Sequence, residues 1–171
     1  MQPKKEAINI TEASRFIVDR LRKSALAADT CQSLISQSLN AASILLRVGE
    51  EKDQKIVLAA MLFGPFKEGA IEGEEIMQVF GGEVYSYLLL AKEPEKLKIP
   101  QLRRLQPKKE QQLQKGGRSV FLATAAASIK EKQDYSPENS VLEEKDIHST
   151  IATFKGSLPN LEAYLEKLAS E

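Results

Sequence analysis

His148 is the side chain in this sequence best suited to acid–base chemistry, and it is the chain's one histidine. Asp146, Ser149 and Thr150 stand beside it, so the residue types of a Ser-His-Asp arrangement are present. Such an arrangement needs partners that converge in space, and neighbours along a helix do not face one another. We therefore predict a surface or capping histidine. The single cysteine, Cys31, has no second thiol to pair with, so we expect an inert thiol in a reducing, cytoplasmic setting.

A basic stretch lies between residues 96 and 118 of a chain whose formal net charge is zero. It could hold phosphates or an acidic partner surface, or it could be a solvated helix face, which is the more common role of such a run. No aromatic residue is interleaved before Arg118, which argues against single-stranded nucleic acid. The candidate anion-binding residues are Arg103, Arg104, Lys108, Lys109, Lys115 and Arg118.

An acidic cluster of Glu68, Glu72, Glu74 and Glu75 follows Lys67. Four carboxylates could bind a cation, but at a helix start they more often interact with the helix dipole. Lys67 could neutralise a bound phosphate, whereas a solvated loop charge is the more common role of such a residue.

The elements that must position these residues are helices, because the apolar residues recur with a helical period. The expected helices are one capped by Thr11, then 33–48, 54–63, a short one near 76–80, 84–91, 101–114, 119–132 and 141–170, the last interrupted around 156–159. Asp53 is the expected cap of the third helix, which Gly64-Pro65 should break. Gly116-Gly117 could precede an anion-binding helix start, but without a GxxxxGK[ST] pattern we interpret it as a turn. No segment alternates with a period of two, so the fold class is all-α.

The bulk properties restrict the partners. The chain has 171 residues, of which 42% are hydrophobic and 28% charged, as in a soluble domain with a real core. We predict one domain over residues 1–171, with a short flexible N-terminus of about ten residues. Zero net charge indicates neither nucleic acid nor a membrane as partner, and no apolar run of about 20 residues could span a bilayer.

The order of five segments resembles the HD-domain phosphohydrolases, specifically the hydrolase domain of RelA/SpoT-type enzymes and their small single-domain, metazoan SpoT homologue-like relatives. The segments are QSLNAASILLRVG, KIVLAAMLFGPFKEG, IEGEEIMQVFGGEVYSYL, LRRLQPKKEQQLQKGGRSVFLATAAASI and FKGSLPNLEAYLEKL. The resemblance covers nearly the whole chain and implies a single HD-domain-like bundle of about eight helices. Those relatives remove a 3′-pyrophosphate from (p)ppGpp, and some act on NADPH.

The same resemblance implies that the family's metal ligands are replaced. The first metal-binding His falls on Gln37, and the His-Asp pair falls on Phe63 and Gly64. The last ligand Asp falls on Ala125, or on Thr124 if the register shifts by one. A divalent metal in such a site needs imidazole nitrogens and carboxylate oxygens, which these side chains do not offer. We therefore expect no metal and no cofactor.

The family's catalytic Glu-Asp pair falls on Lys67 and Glu68. Without a metal there is no acidified water to act as nucleophile, so we predict no catalytic residue. Phe63, Pro65 and Phe66 are expected to fill part of the former site with apolar atoms.

The resulting hypothesis is a catalytically inactive HD-domain pseudoenzyme that acts as a binding or regulatory module. A protein partner, including a second copy of the chain as a homodimer, is favoured over a guanine or NADP-type nucleotide. The alternatives are a metal-dependent (p)ppGpp or NADPH phosphohydrolase with a rebuilt site, and a nucleotide-sensing domain without hydrolysis. An apolar groove left at the former site could also admit a hydrophobic ligand.

Overall fold

The structure, a computed structural model, describes residues 9–93, 107–135, 152, 156 and 158–170. In these residues the chain forms seven bounded α-helices and no strand. They are α1 (Ile10–Lys23), α2 (Ala28–Arg47), α3 (Gln54–Lys67), α4 (Gly73–Val79), α5 (Gly82–Lys92), α6 (Pro107–Tyr135) and α7 (Pro159–Ser170). The predicted all-α helical bundle is confirmed, with seven such helices in the described part instead of about eight.

The first two helices begin earlier than predicted. Asn9, not Thr11, caps α1: its side chain accepts from the Glu12 amide at 3.0 Å, and the Glu12 carboxylate accepts from the Asn9 amide at 3.0 Å. This reciprocal capping box satisfies two amides that the first turn would otherwise leave unpaired. The second helix begins at Ala28 after an Ala27 cap that makes no side-chain bond, so no capping residue marks its start in the sequence.

The third helix is buried on nearly all sides. Asp53 caps it as predicted, accepting from the Lys55 amide at 2.9 Å, and every side chain from 56 to 63 is buried. The predicted break at Gly64-Pro65 is wrong, because the helix continues through both residues. Proline removes the bond that residue 65 would donate to the carbonyl of Met61 in the preceding turn. The burial of every side chain from 56 to 63 outweighs that cost.

The fourth and fifth helices confirm the two short helices expected there. Gly81 joins them with a φ of 97°, a conformation that favours glycine. Tyr85 of α5 lies against α4, where a Cβ on Gly73 would be 2.6 Å from its ring.

The sixth helix is continuous over 29 residues, so the predicted turn at Gly116-Gly117 is wrong, and so is a helix start there. A Cβ at Gly116 would lie 2.6 Å from Tyr87 Cδ1, and one at Gly117 would lie 2.6 Å from Leu90 Cβ. The two glycines therefore let α5 approach the α6 backbone closely. This contact between helices outweighs the roughly 1 kcal/mol that each glycine costs a helix.

The core of the bundle is built around α3 and α6. The third helix packs against α1, α2, α5 and α6, and the sixth packs against α2, α3, α5 and α7. No helix in the described part of the chain is long and apolar enough to cross a membrane. His148, Arg103 and Arg104 lie outside the described residues, as does most of the N-terminus that was expected to be flexible. The single domain over 1–171 remains a prediction.

Candidate functional site

A cavity of about 540 Å³ lies between α2, α3 and α6. Leu165 of α7 completes its wall. The lining combines apolar and polar side chains: Thr30, Ser33, Leu34, Gln37, Ser38, Ala60, Phe63, Gly64, Lys67, Glu68, Phe121, Thr124, Ala125, Ser128, Ile129 and Leu165. This volume is within the usual range of small-molecule sites in proteins.

The six residues singled out as the replaced metal and catalytic positions all line this cavity. They are Gln37, Phe63, Gly64, Lys67, Glu68 and Ala125. In sequence they are spread from α2 to the second half of α6, so the tertiary fold brings them together. Thr124, the alternative position of the last ligand, also lines the cavity, with its hydroxyl donating to the carbonyls of Val120 and Phe121 at 2.8 and 3.0 Å.

The α3 wall exists because α3 continues past its Gly-Pro pair. Ala60, Phe63, Gly64 and Lys67 recur at three- and four-residue spacing and so share one face of the helix. At Gly64, a Cβ would lie 3.1 Å from Leu34 Cδ2, which shows that α2 and α3 meet closely at one side of the cavity. Had the helix ended at Phe63, the two charged residues after it would not have been held at the cavity.

Apolar atoms line the cavity without filling it. Phe63 is buried in the cavity wall. Pro65 is buried but does not line the cavity, and Phe66 packs edge-on against Tyr85, with ring centroids 6.0 Å apart. The expectation that Phe63, Pro65 and Phe66 would fill the space is therefore wrong for the last two, because helical geometry turns them away from Phe63.

A hydrogen-bonded group of three polar side chains joins α2 to α6 at the cavity. Gln37 Nε2 donates to Ser33 Oγ at 3.1 Å and to the carboxylate of Glu131. Glu131 is 8% exposed, which is unusual for a carboxylate. None of the ion pairs among the described residues includes it. The carboxylate is thus compensated by a neutral amide.

Ser38 adds a second buried polar group. It is 4% exposed, it lines the cavity, and its Oγ has no hydrogen-bond partner among the described residues. A buried hydroxyl without a partner costs roughly 1–3 kcal/mol.

A metal centre is not supported by the donors present. Among the described residues no three His, Cys, Asp or Glu side chains are grouped so that they could hold a metal ion. Glu68 lines the cavity and Glu131 lies behind Gln37, and these two carboxylates belong to different helices.

The predicted anion-binding residues that the structure describes do not line the cavity. Lys108, Lys109 and Lys115 are exposed on the first half of α6, and neither they nor Arg118 lines the cavity. Phe121 is the first α6 residue that does, and it follows Lys115 by about 9 Å of helical rise. Arg103 and Arg104 lie outside the described residues, so the basic stretch as a whole remains a prediction.

The acidic cluster is divided between two roles. Glu75 is in the first turn of α4 and pairs with Arg20 of α1, as suits a carboxylate near a helix start. Glu68 instead ends α3 and lines the cavity. Cys31 is half-buried, and its Sγ lies 3.5 Å from the Leu21 carbonyl oxygen, consistent with an inert thiol.

The sequence reasoning missed Ser38 and Glu131. A signal existed for Glu131, since Ala123, Ala127 and Glu131 are four residues apart and the two alanines are fully buried. A helical period therefore puts the carboxylate on a buried face. Ser38 carried no such signal, because a serine inside a helix usually bonds to its own backbone.

Comparison with protein-family models, with curated proteins and with solved structures finds no match to this chain. The functional argument therefore depends on the site itself. Its side chains can bind a molecule of mixed polarity, with an apolar wall on one side and acceptors on the other. They provide no paired acid and base and no activated nucleophile within the described residues.

Proposed function

We propose that this chain is a degenerate HD-type helical domain that binds a small ligand in the α2/α3/α6 cavity without catalysing a reaction. The main support is one observation: the six positions that the resemblance marks as the former active site all line a single open cavity. A random alignment of a helical sequence to that family would scatter these positions over the bundle surface.

The absence of catalysis is inferred from the side chains at those positions. Phe63, Gly64 and Ala125 have no side-chain atom that could bind a metal, and Gln37 uses both amide hydrogens within the protein. A metal-activated water therefore has no support at this site. Phosphate release from ppGpp or NADPH in the presence of Mn²⁺ would contradict this part of the proposal.

A small ligand is favoured over a polyphosphate nucleotide in the same cavity. Among the described residues that line the cavity, Lys67 is the single cation, and the opposite charge of Glu68 offsets it. Binding of several phosphates ordinarily requires more cations or a cradle of backbone amides. A cavity with apolar walls and no excess positive charge suits a less charged molecule.

The proposal can be tested with N-phenyl-1-naphthylamine, a neutral dye that fluoresces in apolar sites. We expect the wild-type chain to bind it with a Kd on the order of 100 μM, since it has the size of a fragment ligand. Ala125→Phe, which puts a ring into the cavity, should weaken binding at least about fivefold.

The matched control is Ala163→Phe, because Ala163 is an exposed helical alanine on α7 that does not line the cavity. It adds the same ring and should leave dye binding unchanged. Equal loss of binding in both variants, or no binding to the wild type, would contradict the proposal.

A protein partner is the second candidate, and the outer face of α2 favours it. Leu39 and Leu46 are 48% and 47% exposed, and a spacing of seven residues puts them on the same helix face. If this face joins two copies, the mass in solution should rise with concentration, and Leu39→Lys should abolish that rise. A concentration-independent monomer mass would remove the homodimer from consideration.

A further inference from the structure

The Gln37 amide offers the cavity a hydrogen-bond acceptor and no donor. An ionised carboxylate can only accept, so the Gln37 amide must turn its Nε2 toward Glu131, as the structure has it. The other Nε2 hydrogen goes to Ser33. Gln37 therefore has no donor left, and its remaining group is the carbonyl oxygen Oε1, to which no described residue donates.

Glu131 gives this side of the cavity a negative potential. The carboxylate is largely removed from water, and within the described part of the chain Gln37 offsets its charge by a dipole and no cation pairs with it. A buried charge without a counter-ion is costly, and a cation brought close to it is stabilised more than one at the protein surface.

Ser38 follows Gln37 directly and belongs to the same cavity wall, but its Oγ is enclosed by protein atoms. A hydroxyl can also donate as well as accept, so Ser38 does not distinguish a cation from an anion. The acceptor offered to a ligand N–H group is therefore Gln37 Oε1.

The charges at the rim of the cavity do not reverse the negative potential that Glu131 produces. Lys67 and Glu68 are both exposed, and their opposite charges offset each other in solvent. The N-terminal end of α2 would favour an anion, but a helix dipole acts only within its first turn. Of the lining residues only Thr30 lies that near the start of α2.

We propose that the cavity selects an organic cation: a molecule with an apolar body and a protonated amine that donates to Gln37 Oε1 in the field of Glu131. This inference rests on the proposed function and adds the chemical class of the ligand. The apolar body would lie against Leu34, Phe63 and Ile129. Carboxylates and phosphates of the same size should bind more weakly.

The test uses three competitors with one ring system and different head groups: 1-naphthylmethylammonium, 1-naphthylmethanol and 1-naphthoate. Each is titrated against N-phenyl-1-naphthylamine bound to the full chain. We expect the ammonium compound to displace the dye at about tenfold lower concentration than the carboxylate, with the alcohol between them. A carboxylate that competes as well as the ammonium compound would overturn the inference.

Two isosteric variants locate the origin of the preference. Glu131→Gln removes the buried charge and should abolish the ammonium preference, so that the ammonium compound and the carboxylate displace the dye at about the same concentration. The Kd of the dye is measured separately for each variant. Glu68→Gln removes an exposed charge and should change the preference by about twofold at most. An unchanged preference in Glu131→Gln would overturn the assignment to that residue. If the dye itself fails to bind the wild type, the proposed function fails and this inference fails with it.

Discussion

Along α6, the turn at Gly116 and Gly117 lies against α5 without a gap, whereas the turns from Phe121 to Ile129 face a cavity of about 540 Å³. Both regions are rich in small residues, which by themselves allow helices to approach. The difference lies in the opposing helix. At the first region, α5 brings two large side chains, Tyr87 and Leu90, directly onto the glycines.

At the cavity, small or polar residues face one another. Ala60 of α3 and Ser38 of α2 oppose Ala125 and Ser128 of α6, and none of these can fill the space between the helices. The Gln37–Glu131 hydrogen bond ties α2 to α6 at this position. A small residue therefore yields close packing only where its partner is large, and it leaves a site where its partner is also small.

The largest effect should come from adding one methyl group to the close-packed region. Gly116→Ala would force the buried ring of Tyr87 to shift, and we expect a loss of about 2 kcal/mol in the free energy of unfolding despite better helix propensity. In a chain of this length that corresponds to a fall of about 4–8 °C in Tm.

The matched control for that variant is Gly82→Ala, at the exposed first residue of α5, where a Cβ would meet nothing within 4 Å. It should leave the free energy of unfolding within about 0.5 kcal/mol of wild type. If chemical denaturation finds the two variants equally stable, the contact between Gly116 and Tyr87 is not as close as described.

A smaller effect is expected from the polar end of the same tyrosine. The Tyr87 hydroxyl lies 3.2 Å from Glu83 Oε1 and 3.5 Å from Asp53 Oδ2, and it can donate its single hydrogen to either. Tyr87→Phe keeps the ring against Gly116 and removes the hydroxyl. We expect a loss of about 1 kcal/mol, less than for Gly116→Ala, because the carboxylates remain partly hydrated.

The stability of the chain at alkaline pH should reveal the contribution of this hydroxyl. Burial, and then the charges of Asp53 and Glu83, raise the pKa of Tyr87 in the folded chain. The unfolded chain therefore releases the phenol proton first, and the free energy of unfolding falls as pH rises above about 10. The hydrogen bond to Glu83 also raises the pKa of Lys55. This shift lowers the free energy of unfolding further as pH rises.

In Tyr87→Phe, the free energy of unfolding should still fall at alkaline pH because of Lys55, but without the contribution of the Tyr87 phenol. Urea denaturation midpoints are measured for the wild type and for Tyr87→Phe from pH 8 to pH 11. The difference in stability between the two proteins, in favour of the wild type at pH 8, should become smaller as pH rises. A gap that stays constant or widens would mean that the phenol ionises as readily in the folded chain as in the unfolded one.

The parts of the fold that the sequence predicted correctly depend on local chemistry. Asp53 caps α3 as expected, and the apolar run after it is buried as its composition indicated. The two glycine breaks were predicted wrongly for a common reason. Gly116 is needed because Tyr87, 29 positions earlier in the chain, packs directly against it. No local sequence pattern indicates such a contact.

The candidate site likewise has features that the sequence could indicate and features that depend on the tertiary fold. The six residues that the resemblance singled out line one cavity, and whether they are replaced catalytic positions stays a prediction. Whether the space between them is open could not be predicted, since it depends on how far apart α2, α3 and α6 stand. The Gln37–Glu131 hydrogen bond joins residues 94 positions apart, so it too could not be predicted from local sequence.

The smallest effect on stability should come from the largest added side chain. Ala125→Phe places a whole ring on α6, nine residues after the glycine at which one methyl group is expected to be costly. Because the ring enters open space and covers apolar atoms of Phe63 and Ile129, we expect the free energy of unfolding to stay within about 1 kcal/mol of wild type. Urea denaturation of Ala125→Phe and Gly116→Ala under one set of conditions measures the contrast directly. If the phenylalanine variant loses as much stability as the alanine variant, the two halves of α6 are packed alike and the cavity is closed in solution.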